Sequence, residues 1–377
     1  MKIYGLYQLE KAFNKSIKRP ILRFFEKKMN TFAIHRFRLL TLKKFKYIHV
    51  MNNGIHSIAT IKFIQKHFNN NEHAFIFPIL KDETKPKLVG LPNVFKYSIE
   101  DIPLDNVDKI IFHGLFTIPF IQFLYKNPKF LEKSYWFIRG GDLYNAKDTK
   151  ESSFVKKKFA GILTTFDYDK YKSLFGENKC FDVSYGHDPV ELSATKQVKR
   201  KSSPISILIN NCADESTIKM LDILKKFKNY NIRIYTILSY ITVNQKDPRL
   251  NIMKKGYETF GNKFVPILDY MDKPTYIKFL STIDIYISNQ DRQQGNGNAS
   301  VICSLGGKVF TKSESSVYKK YNSLGIKYFN TYDIPNLSFK QFVSYDEQIK
   351  IETMTKIKTR MADSTKVKQW NDFFLSK

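Results

Sequence analysis

The stretch Asp291-Arg-Gln-Gln-Gly-Asn-Gly-Asn298, continued by Ala299-Ser-Val-Ile-Cys-Ser-Leu-Gly-Gly-Lys-Val-Phe310, decides how this chain folds. Before it, residues 283–288 form an apolar run with the pattern of a buried strand. After it, a short helix is expected, which Gly306 and Gly307 stop before a second strand at 308–311. Strand, polar glycine-rich loop and helix in succession make one α/β unit. Its loop is a place to hold an anion. The first turn of a helix presents N–H groups without intrahelical partners, and the helix dipole favours negative charge there. Arg292 adds a planar fork of donors suited to phosphate or carboxylate, and the glycines let backbone approach a ligand. The pattern is not the dinucleotide GxGxxG, because Ser300 stands where the third glycine belongs; nor is it a Walker loop, because no Gly-Lys-Ser/Thr follows. A tight turn without a ligand is the plainer alternative. The grouping of Arg292 with two glutamines and two asparagines favours a ligand.

The same strand–helix alternation extends outward in both directions. Around the loop, strands are expected at 205–209, 232–238, 264–268, 283–288, 308–311 and 325–329, with helices at 216–228, 248–260 and 275–282. In the first half, strands are expected at 47–51, 74–77, 109–112, 134–138, 161–165 and 181–184, with Ser57 placed to cap a helix running to about residue 67. This alternation implies α/β architecture: two Rossmann-like parallel-sheet domains facing a cleft, at 46–190 and 205–335. A polar, basic, serine-bearing linker at 191–204 separates them. Residues 336–377 read as a helical tail ending in Trp370, Phe373 and Phe374. Residues 1–45 form a basic N-terminal extension. Ile21, Leu22, Phe25, Met29, Phe32 and Ala33 recur there at helical spacing after Pro20, so an amphipathic helix is expected. Such a helix suits either an anionic membrane surface or packing on the domain behind it.

With 42% hydrophobic residues the chain has enough apolar material for real cores, which excludes a disordered protein. The net charge of +27 points to an anionic partner: nucleic acid, a lipid surface or an anionic substrate. A lysine-rich drift in composition is the competing explanation. A nucleic-acid binder is the weaker alternative, because no RNP strand, zinc finger or helix-turn-helix signature is present. Cys180, Cys212 and Cys303 are scattered without zinc-ligand spacing and fit a reducing cytosol. The most apolar window, 110–125, is broken by His113, Gly114, Pro119 and Gln122, short of the roughly 20 residues a spanning helix needs. A soluble or peripheral protein is expected.

Several ordered motifs resemble one family. Trp136-Phe-Ile-Arg-Gly-Gly-Asp-Leu-Tyr144, Asn211-Cys-Ala-Asp214, Leu238-Ser-Tyr240, Tyr257 with Phe260-Gly261, and Arg292-Gln-Gln with Gly297-Asn298 are similar to those of the bacterial 4-acetamido-4,6-dideoxygalactose (N-acetylfucosamine) transferases, glycosyltransferase family 56. The resemblance spans roughly residues 46–335. It implies a GT-B fold, no obligatory metal and a dTDP-linked deoxy-amino sugar donor. It also implies an undecaprenyl-diphosphate-linked glycan acceptor at the cytoplasmic face of the inner membrane. The chain departs from the family pattern at Glu215, at Thr217-Ile218-Lys219 and at Ile241. A UDP-hexosamine donor is the alternative within glycosyl transfer.

Glycosyl transfer must stabilise a departing nucleotide diphosphate. Without a metal, helix N-termini and Arg or Lys do this. Arg292, Gln293, Gly297 and Asn298 are the candidates for the diphosphate, and Asn211, Asp214, Ser239 and Tyr240 for the nucleotide or sugar. A base must take the acceptor's proton in an inverting transfer. Asp142, expected to be exposed behind Gly140-Gly141 at a strand end, and His113 are the candidates. Asn53, His56 and Arg139 are candidates for acceptor binding. Asp167-Tyr168-Asp169 mimics a DxD metal motif but reads as a helix start, so no metal site is expected.

Overall fold

The computed structural model describes residues 31–82, 84–145, 148–185, 204–210, 215–239 and 247–376. The chain divides into two compact units: residues 1–188 together with 367–377, and residues 189–366. Most of the basic extension, the linker and the stretches 211–214 and 240–246 lie outside the described residues.

The first unit is built on a seven-stranded sheet in the order β3-β2-β1-β4-β5-β6-β7. The strands are β1 (Tyr47–Val50), β2 (His73–Ile76), β3 (Val94–Phe95), β4 (Lys109–His113), β5 (Ser134–Phe137), β6 (Gly161–Leu163) and β7 (Cys180–Phe181). Every pairing is parallel. Helices therefore cover both faces, and β1, β2, β4, β5 and β6 are buried along their whole length. One face packs Ile48, Val50, Ile110, Phe112 and Trp136; the other packs Phe75, Phe77, Ile111 and Phe137. The second face also takes Trp370, Phe373 and Phe374, which come from the helix Asp363–Leu375. Tail residues from Val367 onward thus belong to the first unit, and those before it to the second.

The second unit carries a six-stranded parallel sheet in the order β10-β9-β8-β11-β12-β13. Its strands are β8 (Ile205–Ile209), β9 (Ile232–Ile237), β10 (Phe264–Ile267), β11 (Ile285–Ser288), β12 (Lys308–Thr311) and β13 (Phe329–Asn330). Both sheets reverse strand order beside their first strand, between β1 and β4 and between β8 and β11. Ligands of open α/β sheets bind at the carboxyl end of such a switch point.

Local differences from the sequence expectations have physical causes. The helix expected to start behind Ser57 spans Ile55–His67; Gly54, at φ 132°, precedes it without a side-chain cap, and Ser57 is buried inside its first turns. Strand β13 begins at Phe329 rather than 325, because Gly325, at φ 69°, and Ile326 close the preceding helix. The two-residue β3 was not foreseen; it follows Asn93, whose φ of 56° marks a turn. In the extension, α1 (Thr31–Leu42) is anchored on the first unit. His35 Nδ1 and Arg38 meet the buried Asp101 carboxylate at 2.9 and 3.4 Å. The apolar positions expected from Ile21 to Met29 lie outside the described residues.

Candidate active site

In the second unit, the loop after β11 leads into the helix Asn296–Ser304. Gly295 precedes that helix in the left-handed conformation, at φ 71°. A Cβ there would run into the Asn210 carboxamide and the Tyr286 hydroxyl. The sequence pointed to Gly297, yet Gly295 is the glycine this loop requires. A Cβ at Gly297 would meet nothing, so that glycine stands at an open helix start. Tyr286 donates its hydroxyl to Asn210 Oδ1 (2.8 Å), and Asn210 Nδ2 reaches the Gln294 carbonyl (3.4 Å). The loop is thereby pinned to the end of β8, across the switch point.

This arrangement walls a recess that opens to solvent, lined among others by Ser288, Gln290, Arg292, Asn296 and Thr311. Two side-chain oxygens of these residues, Thr311 Oγ1 and Asn296 Oδ1, are buried without a hydrogen-bond partner. Buried polar atoms are normally paired, so each has bonding capacity left for a water or a ligand group. The Thr311 hydroxyl can donate to an anion, and Asn296 Oδ1 can accept from a hydroxyl or ring N–H. Arg292 is braced by Gln294 Oε1 at 3.1 Å and is partly exposed. Gln293 and Asn298 are also partly exposed, on the loop and in the first turn of the helix. Ser239 lies past the end of β9. Asn211, Asp214 and Tyr240 lie outside the described residues.

In the first unit the candidates gather behind β1, β4 and β5. Asp142 is not exposed, as the sequence position implied, but 2% accessible. The four-residue helix Gly141–Tyr144 turns its carboxylate inward. Asp142 Oδ2 accepts from Leu115 N (2.9 Å) and Trp136 Nε1 (2.7 Å), and Oδ1 from Arg139 N (2.9 Å). It ties the loops after β4 and β5 together. Burial pushes its pKa up, against the pull of those three bonds. His113 is likewise buried, at 1%. Its Nε2 meets His49 Nδ1 at 2.9 Å and its Nδ1 meets Arg139 Nη2 at 3.1 Å. Burial, then the Arg139 charge, hold its pKa well below the usual imidazole value. Both groups are thus buried and hydrogen-bonded, Asp142 to three N–H donors and His113 to His49 and Arg139.

Arg139 itself is partly exposed. Its guanidinium stacks over Tyr185 (4.2 Å) and Phe137 (5.0 Å). It passes Gly114, where a Cβ would sit 3.0 Å from Arg139 Cγ and φ is 90°. His56 is exposed at the start of its helix; crowding by the surrounding chain and then the Arg139 charge lower its pKa. Asn53 is turned away from this group. Its Nδ2 donates to Ile79 O and its Oδ1 accepts from Lys81 N, both at 2.9 Å, so it fastens the loop after β2. Asn52 does the equivalent for the loop after β4, donating to His113 O at 2.5 Å. Asp167 is buried at the start of the helix Tyr168–Phe175, as a helix-start cluster would place it. Among the described residues no group of three His, Cys, Asp or Glu side chains could hold a metal ion.

Residues 94–320 match the family described as 4-alpha-L-fucosyltransferase, glycosyl transferase group 56. The chain belongs to glycosyltransferase group 56. That match takes in five of the seven strands of the first sheet, all but β1 and β2, and every strand of the second except β13. No curated protein sequence matches the chain. Among solved structures, it is similar to a UDP-forming α,α-trehalose-phosphate synthase from Burkholderia xenovorans, with TM-score 0.60, 9% identity, and 88% of this chain and 98% of that one covered. The trehalose-6-phosphate synthase from E. coli bound with UDP-2-fluoro glucose gives TM-score 0.56 at 11% identity, covering 87% and 98%. The N-terminal domain of Candida albicans trehalose-6-phosphate phosphatase gives 0.58 at 9%, covering 87% and 96%. At such identities these structures speak for the fold, which is GT-B: two Rossmann-like parallel-sheet domains. This group 56 chain is a glycosyltransferase, acting between a nucleotide-sugar donor and a glycan acceptor.

Proposed function

We propose that this glycosyltransferase moves a deoxy-amino sugar of the N-acetylfucosamine type from a dTDP-linked donor to an undecaprenyl-diphosphate-linked glycan. The work is done as a peripheral protein on the cytoplasmic face of a bacterial inner membrane. The recess beside Gly295 carries the donor half of this reading. The diphosphate lies against the N-terminus of the helix Asn296–Ser304, with Arg292 as its side-chain counter-charge and the Thr311 hydroxyl as a further donor. Charge on the leaving diphosphate is then met by fixed dipoles and a guanidinium, and no metal is needed for that task. Gln293, Gly297 and Asn298 complete this side of the site; Asn211, Asp214, Ser239 and Tyr240 serve the nucleotide and sugar.

In the first unit, Arg139 receives an anionic group of the acceptor. His56 takes the proton of the acceptor hydroxyl in place of Asp142 and His113, because it alone of the three imidazole and carboxylate candidates reaches solvent. Its lowered pKa keeps the imidazole neutral near pH 7, the form that accepts a proton. A net charge of +27 supports attraction to an anionic lipid surface. No helix among the described residues is long and apolar enough to cross a membrane.

Calorimetric titration with dTDP, UDP and GDP, first with EDTA and then with Mg²⁺, tests the donor. Tight dTDP binding without metal is expected. Arg292→Ala is expected to weaken it about tenfold or more, the scale of one charge-assisted bond. A UDP preference would replace the deoxy-amino sugar by a UDP-hexosamine. Unchanged affinity in Arg292→Ala would remove the diphosphate role. His56→Gln should lower turnover more than donor affinity; wild-type turnover would exclude it as the base.

A further inference from the structure

Three histidines form an unbroken line across the first sheet. His73 lies on β2, His49 on β1 and His113 at the end of β4. His49 is opposite Phe75 and Ile111, each two residues from the neighbouring histidine, so all three project from one face. Their nitrogens meet in sequence: His113 Nε2 to His49 Nδ1 at 2.9 Å, and His49 Nε2 to His73 Nδ1 at 3.1 Å. All three are at most 2% exposed. The C-terminal helix seals the line. Trp370 stacks on His113 at 6.3 Å, and Phe374 packs edge-on to His73 at 4.8 Å.

One end of the line decides its direction. Arg139 can only donate, and it meets His113 Nδ1 at 3.1 Å. His113 Nδ1 must therefore be an acceptor, which puts the His113 proton on Nε2. That N–H donates to His49 Nδ1, which puts the His49 proton on Nε2 in turn. His49 then donates to His73 Nδ1, and His73 is Nε2-protonated as well. A single donor thus fixes three tautomers, and each imidazole is neutral and hydrogen-bonded to the next. Burial acts in the same direction, disfavouring imidazolium at His49, His113 and His73.

We propose that His113, His49 and His73 are positioning residues for Arg139: a neutral, unidirectional imidazole line that holds one guanidinium edge so that the other donors face an anionic acceptor group. This rests on the assignment of Arg139 to the acceptor. It goes beyond that assignment in explaining why polar rings occupy strand positions that would otherwise be apolar. A protonated or reversed His113 would offer Arg139 an N–H instead of a lone pair, and the guanidinium would keep only its contacts with Tyr185 and Phe137.

The full-length protein labelled with ¹⁵N at histidine tests the line directly. Seven histidines are assigned by single substitution, and long-range ¹⁵N–¹H couplings give each tautomer. At neutral pH, Nε2–H is expected at all three; an Nδ1–H tautomer or an imidazolium at any of them overturns the proposal. Arg139→Met removes the terminal donor, and the three tautomers should then become mixed. Tautomers unchanged from wild type would show that Arg139 does not set the direction. Inorganic pyrophosphate, titrated into the Arg292→Ala protein so that binding at the donor site is weakened about tenfold, probes the anion function. His49→Phe should weaken binding about tenfold while keeping an aromatic ring in place. His49→Gln, which retains one acceptor and one donor, should restore it. Weak binding in Arg139→Met with full binding in His49→Phe would overturn the positioning role and leave the acceptor assignment standing. Full binding in Arg139→Met would end the acceptor assignment and the positioning role together.

Discussion

At the switch point of the first sheet, the polar atoms are taken up by one another. Asp142 closes on Leu115, Trp136 and Arg139, Asn52 and Asn53 hold neighbouring loops, and His113 continues into His49 and His73. At the switch point of the second sheet, the loop is pinned by Asn210 and Tyr286, but Thr311 Oγ1 and Asn296 Oδ1 are left unpaired beside an open helix start. The same topology therefore supports two kinds of site. In the proposed reading, the first is a rigid frame that presents one guanidinium and one imidazole, and the second a partly unpaired hydrogen-bond shell for a ligand to complete. Preorganised groups of the first kind lose little freedom on binding, and unpaired groups of the second kind gain partners only when the ligand arrives.

The contrast is broken most severely at Asp142. Asp142→Ala would leave Trp136 Nε1–H and the Leu115 and Arg139 amides without their acceptor in a buried setting. A loss of about 3–5 kcal/mol in unfolding free energy is expected, measured by urea denaturation. Asp142→Asn should fall between, because its amide group turns a donor toward one of those N–H groups. A base on an otherwise tolerant scaffold would behave oppositely, with stability intact and turnover lost. Wild-type stability in both variants would mean that the carboxylate is no structural clamp.

Much of this frame was legible in the sequence, because parallel sheets covered on both faces write their strands as short apolar runs between polar turns. Twelve of the thirteen strands fall on expected positions within a few residues, and the exception, Val94–Phe95, is too short to show a period. The site was less legible. Arg139, His56, His113 and Asp142 were found by standing at strand ends, but strand-end position does not say whether a side chain turns inward. Asp142 does so because Trp136 and two amides face it. His49 and His73 were missed, although each is a polar residue inside a four-residue apolar strand, Tyr-Ile-His-Val and His-Ala-Phe-Ile. Asn210 was missed one position before the noted Asn211, and Gly295 was missed for Gly297, because only three-dimensional crowding distinguishes them. Part of the large positive charge also has an internal use invisible to composition. Lys109, Lys133, Lys226, Lys263 and Lys308 each donate to main-chain carbonyls, Lys308 to three of them, although burial lowers the Lys308 pKa to about 8.

A smaller effect tests the frame through pH. His73 is buried and its pKa is lowered to about 4, against an ordinary value near 6.5. Between those values the unfolded chain binds a proton that the folded chain refuses. The stability contribution of the neutral ring is therefore full above pH 6.5 and is lost as pH falls toward 4. From about pH 7.5 to pH 5 this amounts to about 2 kcal/mol from His73 alone. The difference in denaturation free energy between those two pH values should shrink by that amount in His73→Gln. Equal pH dependence in the two proteins would show that the ring is not held neutral by the fold.

The two glycines of the second site give the finest comparison. Gly295→Ala must place a Cβ against Asn210 and Tyr286 at positive φ, and about 1–2 kcal/mol of stability should be lost. Gly297→Ala meets open space on a helix, where alanine is the better residue, so stability should hold or rise by up to about 0.5 kcal/mol. Nucleotide diphosphate affinity should nevertheless fall in Gly297→Ala, because the added methyl stands where backbone would otherwise touch the ligand. Stability and affinity moving in opposite directions at residue 297 would mark that space as the ligand's. Were affinity to follow stability at both positions, the helix start would be shaped by packing alone, and the diphosphate would have to lie elsewhere on the second sheet.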